Sequence, residues 1–274
     1  MLDTIYKDLT SYSDYLVKHP FHEKWDLDLS TYGDLSRKHV KSAYHDVAPS
    51  SEEAFPAELD DLIRLHYLVT SRRVTTVLEF GVGKSSAVFD HALQINKASC
   101  FDYVSKNLRR SNMFECHSVD NNQQWIEACE KSAMTENVTY HFSKCAIGAF
   151  NDRVCTYFDP LPNICPDLIY LDGPDQMSPE GNIRGVSTNH LDRLPMSADI
   201  LAMEHFLLPG TLIVVDGRTA NARFLKSNFQ RSWSHWHAVD LDQHFFELTE
   251  EPLGVYNRRQ IDFCLGDNFY DRIL

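Results

Sequence analysis

The chain has no apolar run near the ~20 residues needed to cross a bilayer, and the mean hydropathy over its 274 residues is −0.35. Its first residues, MLDTIYKDLTSYSDYL, lack the basic stretch and apolar core of a secretory leader. There is no Cys-x-x-Cys pair, and the seven cysteines are scattered at positions 100, 116, 129, 145, 155, 165 and 264. An odd, unclustered set favours reduced thiols in a cytoplasmic protein over a disulfide framework. Positive charge is scarce: 26 Lys and Arg stand against 39 Asp and Glu, for a net charge of −13. Such a chain repels phosphate backbones and anionic membranes, which disfavours both as partners. The one dense basic cluster, Lys106–Arg110, is short. Internal repeats and low-complexity tracts are absent.

What is present is an alternation of apolar runs and helical patterns. Val74–Ala87, VTTVLEFGVGKSSA, reads as a buried strand with an acid at its end, a turn at Gly81 and Gly83, and a helix start at Ser85 and Ser86. Such a turn lets backbone N–H groups approach a ligand closely. Three ligands compete for it. A P-loop needs glycine where Leu78 stands, and Glu79 would repel phosphate. A dinucleotide turn needs a third glycine where Ser86 stands. S-adenosylmethionine is a cation with a ribose and no phosphate, so Glu79-x-Gly81-x-Gly83 suits it best.

Further along, Glu115–Asp120, Val138–Phe142, Asp167–Asp172 and Thr211–Asp216 read as strands. Helices are expected over Ala57–Ser71, Ser85–Asn96, Gln123–Ala133, Pro195–Leu207 and Thr219–Asn228. Ser50 and Glu53 suggest a capping box. Lys97–Phe114 reads as an irregular insertion, and Lys144–Ile147 as the start of a loop. His235–Leu241, Phe245–Leu248 and Ile261–Leu265 read as late strands without helices between them. Residues 1–50 read as a helical and irregular extension: Ile5, Leu9, Tyr12 and Leu16 have helical spacing, and His19-Pro20 ends the run. The expected organisation is this extension followed by one domain over 51–274. Its fold class is α/β, a doubly wound, mostly parallel sheet of seven-stranded type with an antiparallel C-terminal hairpin. Ligands of such sheets sit outside the carboxyl ends of the strands. Glu79, Asp120, Asp172 and Asp216 all stand there.

Taken together, LEFGVGKSSAV, SVD at 118–120, DLIYLDGPD at 167–175 and LLPGTLIVVDG at 207–217 resemble the class I S-adenosylmethionine-dependent methyltransferases, and most nearly their small-molecule O-methyltransferases. The resemblance spans about Ala57–Leu248. It implies S-adenosylmethionine as cofactor, with Glu79, Gly81, Gly83, Ser85, Asp120, Asn121, Cys145, Ala146 and Asp172 around it. In that family the acid at Asp120 takes the ribose hydroxyls, and the loop at Ser143–Ala146 lies near adenine. Asp120 lies well beyond the roughly 20 residues expected after the glycines, which leaves Asp102 as a rival ribose acid. For a hydroxyl acceptor the base is sought first at Asp172, then at Asp175 and Asp216; His190 and His205 are weaker candidates. No resident metal is expected, because Gly217 stands where the metal-dependent subgroup has its third ligand; a divalent ion held by the oxygens of Asp172 and Asp216 stays open. His235, His237 and His244 form a rival zinc-type group, for which packing on an edge strand is the simpler account. The partner implied is a small polar molecule, without nucleic acid or membrane, and a homo-oligomer stays open. The alternatives are a non-catalytic module on the same fold, or another Rossmann-like enzyme using a nicotinamide or a nucleotide sugar.

Overall fold

The computed structural model describes residues 5–25, 35–36, 58–132 and 135–273. Its strands are β1 (Thr76–Phe80), β2 (Glu115–Asp120), β3 (Val138–Phe142), β4 (Lys144–Phe150), β5 (Arg153–Asp159), β6 (Leu168–Leu171), β7 (Leu212–Asp216), β8 (Trp233–Ala238) and β9 (Gln243–Leu248). Seven of them form one sheet in the order β3-β2-β1-β6-β7-β9-β8. The first five are mutually parallel, and β9 and β8 run antiparallel at the far edge. This is the doubly wound, seven-stranded form with an antiparallel end that the alternation of strands and helices implied.

The central strands are buried on both sides because their apolar runs are continuous while side chains alternate. In β7, Leu212 and Val214 face one core while Ile213 and Val215 face the other. In β6, Leu168 and Tyr170 are split from Ile169 and Leu171 in the same way. The first core is covered by α1 (Tyr12–Lys18), α3 (Leu59–Ser71) and α4 (Lys84–Asn107), with α2 (Phe21–Lys24) beside them. The second is covered by α6 (Asp199–Met203), α7 (Thr219–Asn228) and the β4–β5 hairpin. The remaining described helices are α5 (Gln123–Lys131) and α8 (Gly254–Cys264).

The N-terminal segment shares this core. Every residue of α3 from Leu62 to Val69 is buried, and a helix buried on all sides needs cover on its outer face. Tyr6, Leu9, Tyr12, Leu16 and Phe21 supply that cover. The Tyr12 hydroxyl accepts from Arg64 at 2.7 Å, and the Tyr15 hydroxyl meets His66 Nδ1 at 2.7 Å. Ser11 caps α1 by accepting from Asp14 N, and the helix ends at His19, before Pro20.

Four readings of local structure are corrected. The Lys97–Phe114 insertion is mostly helix, because α4 continues to Asn107. Its exposed residues 97–99 and 101–103 hide the helical period, while Val104 and Leu108 return to the core. Lys144 begins a strand, paired antiparallel with β5 through the turn at Asn151 and Asp152, both at positive φ. Ile261–Leu265 belongs to α8, whose buried residues Asn257, Gln260 and Ile261 have helical spacing. The helix expected over Pro195–Leu207 is shorter: α6, then a 3-10 turn at Glu204–Phe206. The Ser50–Glu53 capping box lies outside the described residues.

Candidate active site

The strand order reverses between β1 and β6, so the loops after these two strands part and open a crevice at the sheet's carboxyl edge. Glycine permits their close approach. Gly81 has φ +99°, and a Cβ there would stand 3.1 Å from the backbone of Asp172 and Gly173. Gly173 in turn would place a Cβ 2.8 Å from Gly81 N. The turn therefore has no space for side chains where the two loops touch. Gly83 is the N-cap residue of α4, and a Cβ there would meet only Ser85 Oγ at 3.8 Å.

Glu79 lies beneath this turn. It pairs in register with Ser118 of β2 and Tyr170 of β6. Its carboxylate accepts from Ser85 Oγ, Ser86 Oγ and Ser118 Oγ, each at 2.5 Å, and the residue has no exposed surface. Burial pushes its pKa up to about 7 against the pull of those three hydrogen bonds. The direct reach to a ligand expected of Glu79 is thus replaced by a structural contact: the acid fixes the first turn of α4, where the helix N-terminus favours negative charge. Ser85 is half-buried at the turn, and Lys84 is exposed.

The raised acids carry a pH dependence of stability. Asp199, buried against Ser197 and the Phe158 N–H, is likewise pushed up, to about 6, by burial. For both groups the native state holds its proton more tightly than the unfolded chain does. Stability therefore falls as pH rises from the ordinary carboxylate range, about 4, through about 7. Urea midpoints measured at pH 5 and pH 8 are expected to drop toward pH 8. Glu79→Gln, which imitates the protonated acid, is expected to flatten part of that slope; an unchanged slope would contradict this account of Glu79.

Asp120 closes the neighbouring side. Its Oδ2 accepts from Val82 N at 2.9 Å, and its Oδ1 from Asn122 N at 2.7 Å. The residue is half-buried, and burial raises its pKa. Both oxygens keep a lone pair for a further donor. Asn121 exchanges hydrogen bonds of 3.3 and 3.4 Å with Ser178, tying the loop after β6 to the end of β2. Asp102 is exposed along α4, away from the ends of the strands, which removes it as a rival to Asp120.

Asp172, Asp175 and Asp216 surround the other half of the crevice. Asp172 and Asp175 are exposed, and Asp216 is half-buried. Asp172 Oδ1 pairs with Arg218 Nε at 3.4 Å, and the same guanidinium donates to the carbonyls of Asp172 and Pro174. Asp216 accepts from the Tyr170 hydroxyl at 2.6 Å. Burial and the nearby charge of Asp172 push its pKa up to about 7.

Cys145 and Ala146 are placed differently from expectation. Both are in β4, where a loop was read, and the Cys145 thiol is 2% exposed, packed in the second core. Cys145 offers the crevice only backbone: its carbonyl accepts from Glu180 N at 2.9 Å. Ala146 is exposed. The histidine group forms a stack. His235 Nε2 lies 3.1 Å from His244 Nδ1, and the rings of His237 and His244 are 3.8 Å apart. His244 also meets Thr219 at 3.1 Å, so its two nitrogens serve hydrogen bonds. His190 and His205 are exposed.

Sequence reasoning missed Arg218, Ser118, Tyr170 and Gln243. Arg218 had a local signal, following Asp216-Gly217 directly. The other three are brought in by strand pairing, which no short motif records.

The crevice and glycine turn belong to a Rossmann-like, doubly wound sheet, and the carboxylates around them are acceptors suited to hydroxyls and positive charge. Neither a family model nor a curated protein matches the chain. Among solved structures, it is similar to the SAH-bound methyltransferase PaMTH1 of Podospora anserina, at 12% identity and a TM-score of 0.44, over 90% of this chain and 93% of that one. It is also similar to the O-methyltransferase TomG of Streptomyces achromogenes, involved in tomaymycin synthesis and solved with SAM, at 15% identity and a TM-score of 0.36, over 89% and 93%. Similarities this weak leave the fold to be read from the sheet itself. Among the described residues, no helix is long and apolar enough to cross a membrane.

Proposed function

We propose that the protein is an S-adenosylmethionine-dependent methyltransferase acting at a hydroxyl of a small polar molecule. One observation carries this reading: at the switch point of the sheet, the glycine turn is backed by a buried carboxylate and flanked by Asp120. A phosphate ligand would meet the Asp120 carboxylate beside the turn, while ribose hydroxyls would meet an acceptor there; the buried Glu79 supports the turn from beneath.

The residues fit the cofactor. Asp120 takes the ribose hydroxyls through its remaining lone pairs, with Asn121 beside it. Gly81 and Gly83 keep side chains out of the space where the ligand lies, and Ser85 lines the turn. Ala146 and the backbone of Cys145 stand on the adenine side. When bound, S-adenosylmethionine supplies a methyl group already activated by its sulfonium charge. The protein's main contribution is then to place the acceptor oxygen in line with that methyl group. Asp172 takes the acceptor's proton. Burial and the neighbouring acids Asp175 and Asp120 raise its pKa, which suits it to take up a proton, while the ion pair with Arg218 pulls the other way and favours the ionised form that a base requires. Seven unpaired thiols suit work in a reducing compartment.

Thermal shift with S-adenosylhomocysteine, NAD and ATP tests the reading. Stabilisation by S-adenosylhomocysteine alone is expected, and stabilisation by NAD or ATP alone would sink it. Asp172→Asn should keep that stabilisation and lower turnover by about 10²–10⁴-fold, the range of a lost general base. Full turnover in the variant would move the base to another group.

A further inference from the structure

Two pairs of adjacent arginines, Arg72-Arg73 after α3 and Arg109-Arg110 after α4, lie where the chain enters β1 and β2, at the sheet end away from the crevice. Each pair sends one side chain inward. Arg72 pairs with Glu247 at 2.9 Å, and Arg110 pairs with Asp167 at 2.6 Å. Their neighbours Arg73 and Arg109 are exposed, and among the described residues neither forms an ion pair.

Both outward arginines lie on rings of α8. The Arg109 guanidinium is 5.4 Å from the centre of the Tyr256 ring, and that of Arg73 is 5.3 Å from Phe263. Tyr256, Arg259 and Phe263 follow one another at spacings of three and four residues, which puts them on one stripe of the helix, about 10 Å long. Arg259, between the two rings, is also exposed and also without an ion pair. From the outer turns of α4, Tyr103 stacks on Phe263 with centroids 5.0 Å apart. Tyr103 is 47% exposed and Tyr256 53%. The result is a row of three guanidiniums on an aromatic stripe, joining α8, α4 and the turn after α3.

The chemistry of this row selects its partner. A guanidinium resting on a ring keeps its forked N–H groups, which match a carboxylate in two parallel hydrogen bonds. The acids nearest in sequence are Asp102, which is exposed and forms no ion pair, and Asp262, which accepts from the Tyr270 hydroxyl at 2.5 Å. Tyrosine and arginine are also the residue types that carry most of the energy in protein interfaces. A nucleic acid suits the row less. Tyr103 already lies on Phe263 and Tyr256 already carries Arg109, so ring faces that bases would stack on are in use. A long polyanion would also meet the repulsion of a chain with net charge −13, which a short acidic segment meets far less.

We propose that the α8 stripe, with Arg73 and Arg109, docks an acidic segment of a partner protein. Its carboxylates take Arg109, Arg259 and Arg73, and its apolar side chains rest against Tyr256 and Tyr103. The face leaves the crevice open while the partner is bound. The inference does not rest on methyl transfer, and its test needs no activity.

The full-length protein is titrated into a fluorescein-labelled twelve-residue peptide repeating Glu-Glu-Leu, and anisotropy is read. A Ser-Ser-Leu peptide, a twelve-nucleotide oligouridylate and phosphatidylserine vesicles are the comparison probes. Saturable binding of the acidic peptide tighter than about 1 mM is expected, weakening as salt is added and absent with Ser-Ser-Leu. The double variant Arg109→Glu, Arg259→Glu should weaken it at least about tenfold. Tyr256→Ala should weaken it as well, through lost apolar contact. The control variant Arg223→Glu, Lys226→Glu reverses two exposed cations of α7 and should leave binding unchanged. All these positions are exposed, and equal thermal melts check that each variant folds. No binding below about 1 mM overturns the proposal. So does binding that survives the Arg109, Arg259 reversal, or that falls equally in the α7 variant, which would reduce it to general charge attraction. Tighter binding of the oligouridylate or of the vesicles than of the peptide also overturns it, and would reassign the face to nucleic acid or to membrane.

Discussion

Asp120→Ala is expected to lower the affinity for S-adenosylhomocysteine by about 10²-fold or more, measured by calorimetry. The size follows from the proposed contact. Two ribose hydroxyls donating to a carboxylate each contribute at least about 1.5 kcal/mol, and about 3 kcal/mol corresponds to two decades in affinity. The same carboxylate holds Val82 N and Asn122 N, so removing it also loosens the glycine turn and adds to the loss. Asp120→Asn separates the two effects, because the amide oxygen still accepts one backbone bond while the charge is gone. Its affinity should fall between those of the wild type and Asp120→Ala. Equal affinity in all three proteins would place the ribose elsewhere.

The second large effect is on stability, at the opposite end of the sheet. Asp167 is 7% exposed and accepts from Thr75 N at 2.9 Å, Thr76 N at 2.8 Å, Thr75 Oγ1 at 2.9 Å and Arg110 at 2.6 Å. It ties the segment after α4 to the start of β1 and β6. Asp167→Ala leaves Arg110 as a buried charge without its counter-ion and leaves two backbone N–H groups without acceptors. Unfolding free energy is expected to fall by about 3–5 kcal/mol, the cost of breaking a buried pair from one side. The double variant Asp167→Ala, Arg110→Met should recover part of that loss, because the unpaired charge goes too. A loss under about 1 kcal/mol in the single variant, read from urea unfolding, would mean that water replaces the carboxylate at little cost.

The central strands of the large sheet were legible because they are buried on both faces. Continuous runs such as DLIYLD and TLIVVD leave few alternatives to a parallel central strand, and the Pro209-Gly210 turn marks the entry to β7. The elements that were misread had conflicting local signals. The outer turns of α4 are polar, so a helix there carries no apolar period. Ile261–Leu265 alternates like a strand, yet its neighbours Asn257 and Gln260 set a helical face against the core. The β4–β5 hairpin had a signal in Asn151-Asp152, which adopt the left-handed region at both positions, as tight hairpin turns require.

For the site, type and position were legible and orientation was not. Acids at the ends of consecutive strands could be counted from the chain. Which of them face the crevice depends on neighbours in the sheet. Glu79 shows this most clearly: its side chain points to the face shared with Ser118 and Tyr170, under the first turn of α4, while Asp120 and Asp172 stand at the edge. Cys145 turned inward for the same reason, since its alternate position in β4 faces the core.

By itself the sequence determined the doubly wound sheet, the place of the glycine turn and the acidic character of the carboxyl edge. Those features follow from hydrophobic patterning and from residue chemistry that acts locally. Only the tertiary structure decided that Glu79 is enclosed by three serines, that Arg218 holds the loop of Asp172, and that Gln243 meets the Asp61 carboxylate of α3. Each of these contacts joins residues on different elements. Strand register and helix packing bring them within hydrogen-bond reach, and neither is written in any one segment of the chain.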